Sequence, residues 1–191
     1  MVKYLVEHGA DVNQKDINDD ISGNESIIKY LVELGADINK ETCDGETPLF
    51  YACKNGHEAV VKYLVEHGAD INKESKYDGT PLFEACARGN ITIVKYLVEH
   101  EANVNKEKAD GVTPLFEACF NGNVALVKYL VEHGANVNKE SKYGGTPLFE
   151  AYDYKRDAVV KYLVKHGADV NKVKRSNVFV KYLSELGVKV M

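Results

Sequence analysis

The stretch TPLFEACARGNITIVKYLVEHEANVN, residues 80–105, decides the fold. Thr80-Pro81 opens a helix: a threonine oxygen can cap the exposed amides, and proline, which has no N–H to lose, fits the first helical position. Leu82, Ala85 and Cys86 follow at i, i+3 and i+4 and make one small apolar face. Gly89-Asn90 ends that helix, and Ile93, Val94, Leu97 and Val98 mark the apolar face of a second one. Just upstream, the polar run Lys73-Glu74-Ser75-Lys76-Tyr77-Asp78-Gly79 carries the Asp-Gly signal of a tight turn. The unit reads as two short helices and an extended tip.

The same unit recurs. Thr-Pro-Leu-Phe starts at Thr47, Thr80, Thr113 and Thr146, at equal intervals. Val-Lys-Tyr-Leu starts at Val2, Val61, Val94, Val127, Val160 and Val180, with Ile-Lys-Tyr-Leu at Ile28. The interval from Ile28 to Val160 is the same at every step, and it shortens at both ends of the chain. Most units close with Gly-Ala-Asp/Asn-Val/Ile-Asn, as at Gly68 to Asn72, and the glycine stands where a helix ends in a left-handed cap. Self-similarity at a fixed period is the mark of stacked repeats.

A helix-turn-helix that returns with a period of about 33 residues, with Thr-Pro-Leu and a closing Gly-Ala-Asp-Val-Asn, resembles the ankyrin repeat. The resemblance covers nearly the whole chain. It implies an all-α solenoid of stacked antiparallel helix pairs in a curved row, with β-hairpin-like tips set across them. Residues 1–191 read as one array. Full repeats span 40–72, 73–105, 106–138 and 139–171. Residues 1–12 are a partial repeat, 13–39 a shortened one lacking Thr-Pro-Leu-Phe, and 172–191 a C-terminal capping helix over about Val178 to Leu186. Lys172, Lys174, Arg175, Lys181 and Glu185 suit the polar outer face that a terminal unit must present. At the other end Val2, Leu5 and Val6 leave an apolar flank, and the segment to Asn39 is expected to be the least stable.

Four ladders recur at the repeat spacing. Cys53, Cys86 and Cys119 occupy one first-helix position, and Cys43 stands apart. Stacked helices lie ~8–10 Å apart, whereas a disulfide needs Cα atoms within ~7 Å, so free buried thiols are expected. His8, His67, His100, His133 and His166 end the second helices, where the helix dipole favours a cation or donor. No nucleophile or carboxylate recurs beside them in a catalytic arrangement. Tyr4, Tyr30, Tyr63, Tyr96, Tyr129, Tyr162 and Tyr182 predict a partly exposed back ladder stacked from repeat to repeat. Phe50, Phe83, Phe116 and Phe149 stand where many ankyrin repeats carry a histidine that links neighbouring turns, so apolar contact between repeats is expected in its place. Glu101 stands where the other units have Gly9, Gly35, Gly68, Gly134 and Gly167, and predicts a local strain point with a left-handed backbone.

The resemblance implies that a partner is met by the tips and by the concave face of the first helices. On the tips the matching positions include Cys43, Asp44 and Glu46; Lys76 and Tyr77; Ala109, Asp110 and Val112; and Lys142 and Tyr143. On the first helices they are Tyr51, Lys54 and Asn55; Glu84 and Arg88; Glu117, Phe120 and Asn121; and Glu150, Asp153 and Tyr154. These positions change from unit to unit while core positions repeat nearly verbatim, as a partner with different chemistry at each repeat would require. Drift at solvated positions gives the same pattern. Tyr51, Tyr77, Phe120, Tyr143 and Tyr154 supply aromatic anchors, and Glu84, Glu117 and Glu150 favour a partner with a basic patch.

A net charge of −5 argues against nucleic acid or an anionic membrane as partner. No apolar run approaches the ~20 residues of a membrane span, and Met1-Val2-Lys3-Tyr4-Leu5-Val6-Glu7 lacks a signal-peptide core, which predicts an intracellular, cytoplasmic setting. No Gly-rich phosphate loop, catalytic triad or metal cluster is present, so no enzyme activity and no cofactor are expected. The pattern fits a monomeric protein-binding scaffold or adaptor. Association through the apolar N-terminal end is the variant on that theme. The alternative is the recognition part of a larger protein whose activity lies outside this chain.

Overall fold

In the computed structural model, residues 25–77, 79–173 and 176–187 are described. The expectations for residues 1–24, including His8, Tyr4 and the apolar flank at Val2, Leu5 and Val6, fall outside them, as do those for Lys174 and Arg175. The chain divides into two compact units, Met1–Ala102 and Asn103–Met191. The first holds α1 (Glu25–Glu33), α2 (Pro48–Asn55), α3 (Glu58–Glu66), α4 (Pro81–Arg88) and α5 (Ile91–Glu99). The second holds α6 (Pro114–Asn121), α7 (Val124–Glu132), α8 (Pro147–Asp153), α9 (Asp157–Lys165) and α10 (Ser176–Glu185), with a 3-10 turn at Val170–Lys172. Among the described residues no strand forms.

Five of the helices start on a side-chain cap, whereas α3, α6 and α9 start without one. The Thr47, Thr80 and Thr146 hydroxyls accept the amides of Phe50, Phe83 and Phe149 at 3.1–3.3 Å, and proline follows each threonine. Asn90 and Asn123 cap α5 and α7 in the same way, accepting from Ile93 and Leu126 at 3.1 Å. In the first unit α2 packs on α4 and α3, α4 on α5, and α3 on α1 and α5. In the second, α8 packs on α6 and α9, and α7 on α6 and α9. Both units are thus rows of helix pairs, and each pair buries its Leu and Ala face, with a Cys in all but α8, against its Val and Leu face. Leu49, Ala52, Cys53, Leu115, Ala118 and Cys119 have no exposed surface. All four cysteines are free, with Cys43 alone exposed; burial pushes the Cys53 and Cys119 thiols well up.

The tips are hairpin-like turns, each closed by more than one hydrogen bond. Thr42 N–H donates to the Glu46 carbonyl, Ser75 to Gly79, Lys108 to Val112 and Ser141 to Gly145, at 2.9–3.0 Å. Neighbouring tips are tied as well: Lys76 N–H donates to Asp44 O, and Lys142 N–H to Asp110 O, both at 2.8 Å. Gly45 and Gly111 sit at φ 73° and 80°, where a Cβ would stand 3.3 Å from the next tip's backbone. Phe50 reaches the next repeat as expected: its ring would lie 3.4 Å from a Cβ at Gly79.

Two inter-repeat links join the helices at the other end of the pairs. The closing asparagines are the first. Asn105 Nδ2 donates to Gly134 O at 2.8 Å while its Oδ1 accepts from Asn136 N–H at 2.8 Å. Asn138 does the same to Gly167 and Asp169, and Asn39 to Gly68 and Asp70. The tyrosine ladder is the second, and here the expected stacking of ring on ring between repeats is replaced. Tyr63, Tyr96, Tyr129 and Tyr162 each pack on the histidine one turn later in their own helix, with centroids 3.8–4.2 Å apart. The contact to the preceding repeat is a lysine: Lys29 lies over Tyr63, Lys62 over Tyr96 and Lys128 over Tyr162 at 5.5–6.0 Å. A cation on a π-face costs no aromatic alignment, so long flexible lysines suit a repeat spacing that rings cannot bridge. Each histidine Nδ1 lies 2.7–2.8 Å from the tyrosine carbonyl four residues back, an acceptor-only partner, so Nδ1 carries the proton and the ring caps the helix end.

Glu101 adopts φ 68°. Its loop keeps the path of the glycine loops: Glu101 N–H to Val98 O and Ala102 N–H to Leu97 O measure 3.1 and 2.9 Å, as do the matching bonds of Gly134 and Ala135. Asn72 Nδ2 grips the Glu101 carbonyl at 3.2 Å. The neighbours therefore impose the left-handed backbone on a residue with a Cβ, at ~1–2 kcal/mol. Glu101→Gly is expected to raise stability by about 1 kcal/mol, since part of the released strain is offset by the freer unfolded chain. A urea midpoint that rises with an unchanged slope checks it; a fall counts against the imposed conformation.

Candidate docking surface

The first helices bury one side in the stack and turn the other outward, with the tips beside it. In the first unit this surface is closed on itself. The Tyr51 hydroxyl donates to Glu46 Oε2 at 2.5 Å, and the Lys54 ammonium lies 3.8 Å from Glu46 Oε1. The same ammonium stands 5.8 Å from the Phe50 ring centre and 5.5 Å from that of Tyr51. Asp44 and Glu84 are half-buried; Asn55, Lys76, Arg88 and Tyr77 are exposed, the last at 71%.

In the second unit the equivalent surface opens into a cleft of about 280 Å³ lined by Lys108, Asp110, Val112, Phe116, Glu117, Phe120 and Glu150. Five of these seven are positions that the family resemblance marked for a partner; Lys108 and Phe116 are additions that only the packing reveals. Glu117 comes from α6 and Glu150 from α8, the next first helix. Phe120 is 39% exposed and meets Tyr154 edge to face, centroids 4.4 Å apart. Arg156 is spent nearby: its Nε donates to the Phe120 carbonyl at 2.9 Å, and its chain passes over Gly122. Lys142 and Tyr143 stand out on the tip, Tyr143 at 80% exposure, and Asn121 and Asp153 are exposed at the ends of α6 and α8.

Asp153 belongs to a second, larger cleft of about 630 Å³, which sequence reasoning did not anticipate. Tyr152, Lys155, Asp157, Val178, Lys181, Tyr182 and Glu185 complete its lining. Its charges are mixed and its Tyr182 hydroxyl is engaged, donating to Asp157 Oδ1 at 2.6 Å. The sequence carried one signal for it. Lys155, at φ 55°, stands where Gly56, Gly89 and Gly122 end the other first helices.

Burial drives the Glu117 carboxyl above its ordinary range; Lys108 pulls it back and Asp110 pushes it further up. Burial also raises Glu150, with Asp153 and Glu117 adding repulsion. A carboxyl whose folded-state pKa is raised holds its proton more tightly in the native state than in the unfolded one. Stability therefore falls as pH rises through that range, and the charged form is the unfavourable one. Glu150→Gln is expected to be more stable than the parent near pH ~7, with the gap closing toward pH ~4.5, the ordinary glutamate range. Urea midpoints at the two pH values check it, and a gap that widens on acidification contradicts the sign.

Among the described residues no group of three His, Cys, Asp or Glu is arranged to hold a metal ion, and no helix is long and apolar enough to cross a membrane. A family model described as ankyrin repeats (3 copies) matches residues 20–108 and 101–174. No curated protein matches the chain.

Proposed function

The chain belongs to the ankyrin repeat family, whose repeats are generally protein-interaction modules, and from that premise we propose that it is a binding scaffold that meets its partner through the tips and outward first-helix faces, above all the cleft of the second unit. One observation carries this reading. Core positions repeat almost unchanged, while Asp110, Val112 and Phe120 differ from their counterparts in the adjacent repeats and line one opening together with Glu117 and Glu150.

Two further points support it. Glu117 and Glu150 are held where ionisation is unfavourable, and side chains that cost stability are the usual companions of a functional surface. Phe120, Tyr143 and Tyr154 expose aromatic surface beside that charge, the residue class that anchors interfaces.

The test uses the full chain, immobilised, against a lysate of its source cell, in three forms: parent, Phe120→Ala with Tyr143→Ala, and a back-face pair, Tyr129→Ala with Tyr162→Ala, on the second helices of the same unit. A protein retained by the parent and by the back-face variant, and weakened about tenfold by the front-face variant with helical circular dichroism unchanged, supports the reading. A protein that ignores the front-face changes and is lost from the back-face variant puts the docking surface on the tyrosine ladder instead.

A further inference from the structure

We propose that the cleft of the second unit receives an arginine side chain of the partner protein, its guanidinium between Glu117 and Glu150 and against the Phe120 ring. This rests on reading the surface as a docking face and names the chemistry that it selects.

Charge is the first argument. Three carboxylates line the cleft, from Asp110, Glu117 and Glu150, against the single cation of Lys108. An incoming cation meets opposite charge on two adjacent helices, with half-buried glutamates that water screens only partly.

The chain itself supplies the second argument. In the first unit a cationic side chain already fills the equivalent place. Lys54 sits over the Phe50 and Tyr51 rings and beside Glu46. Two repeats later the matching positions are Phe116, Glu117 and Phe120. The phenylalanine wall is kept, a carboxylate replaces the tyrosine, and the lysine has become a ring. The tip carboxylate Glu46 has become Val112, so the acidic group has moved from the tip to the helix at Glu117; the second unit keeps a phenylalanine and a carboxylate side by side without a cation on the helix, and the partner supplies it.

Shape decides for arginine over lysine. A guanidinium is flat, lies against an aromatic face and presents donors on two edges, so it can serve carboxylates from two helices at once. An ammonium is a compact point charge that forgoes the stacking. At about 280 Å³ the cleft lies just below the ~300–1,000 Å³ typical of small-molecule pockets, and suits a single side chain.

The experiment titrates the isotope-labelled full chain with N-acetyl-arginine methylamide, and in parallel with the lysine and citrulline counterparts, following backbone amides by NMR. Expected are saturable shifts confined to the cleft, at residues 108–120 and 150–154, strongest with arginine, weaker with lysine and absent with the uncharged citrulline. Glu150→Gln and Phe120→Leu should each weaken the arginine effect about fivefold to tenfold, the loss of one charge-assisted contact or of one stacking face. Lysine binding as tightly as arginine, or citrulline binding at all, overturns the assignment, as do shifts scattered over both units. A captured partner that depends on Phe120 and Tyr143, paired with a cleft that ignores arginine, keeps the docking face and removes the arginine. A cleft that takes arginine while the partner ignores those residues does the reverse.

Discussion

Replacing Phe179 with alanine is expected to release the C-terminal helix from the second unit and to cost about 3 kcal/mol, the low end of the range for deleting a buried phenyl ring. Among the described side chains of α10, Phe179 and Leu183 are buried, and neither has exposed surface. The Phe179 ring meets Tyr152 of α8 edge to face, centroids 4.6 Å apart, and Tyr152 in turn meets Tyr182 at 5.0 Å. Tyr182 is pinned to Asp157 at the start of α9, a bond that needs the phenol protonated; burial, that hydrogen bond and the carboxylate all push its pKa up. A methyl in place of the ring leaves a void with Tyr152 on one side and removes the surface on which Tyr182 is set. In a repeat stack each element answers mainly to its neighbours, so the loss should stay at this end. Amide protection of Ser176–Glu185 should collapse while that of Val124–Glu132 persists, and the urea midpoint should fall. Phe179→Leu, which keeps most of the buried volume, should lose no more than about 1.5 kcal/mol. Protection of α10 that survives Phe179→Ala would show that Leu183 alone holds the cap.

That cap also shows what a sequence discloses and what it withholds. Helix starts were legible because the determinants are local. Thr-Pro opens a helix at residues 47, 80, 113 and 146, the threonine hydroxyl closing the cap at all but Thr113, and the left-handed Glu101 follows from five glycines at its position. The same argument applied at Lys155, aligned with Gly56, Gly89 and Gly122, predicts its positive φ equally well. The contacts that pass from one repeat to the next were not legible. Lys29 reaching Tyr63, or Tyr182 reaching Asp157, depends on the offset between stacked helices, and a repeat period alone does not fix that offset. The candidate site divides along the same line. The family resemblance marks Tyr51, Lys54, Glu117 and Phe120 alike. Only packing shows that Tyr51 and Lys54 are tied to Glu46, whereas Glu117 and Phe120 line an opening. Aligned positions with different neighbours thus carry different chemistry, and the proposed function lies in that difference.

Asn138→Ala is expected to cost about 2 kcal/mol, the sum of two ordinary hydrogen bonds and more than its half-exposed side chain suggests. The closing asparagines lie in the string that identifies the repeat, yet their role is not to end their own unit. Asn138 Nδ2 donates to Gly167 O at 2.9 Å, and its Oδ1 accepts from Asp169 N–H at 2.7 Å. One side chain therefore satisfies a carbonyl and an amide on either side of Ala168, in the loop that follows the left-handed Gly167 of the next repeat. Alanine removes both bonds at once. Each is worth about 0.5–1.5 kcal/mol net, and water can replace part of each at this depth, so the loss should not exceed the middle of the combined range. Aspartate separates the two contributions. It keeps the acceptor for the Asp169 amide, loses the donor to Gly167 and adds a negative charge near the Asp169 carboxylate, so Asn138→Asp should recover only a minor share. Asn105→Ala, with both bonds at 2.8 Å to Gly134 and Asn136, should match Asn138→Ala within about 0.5 kcal/mol, because the two asparagines make the same pair of bonds. Urea midpoints for the parent and the three variants decide it: a loss below about 0.5 kcal/mol at both asparagines would mean that water serves these loops as well as the amide does.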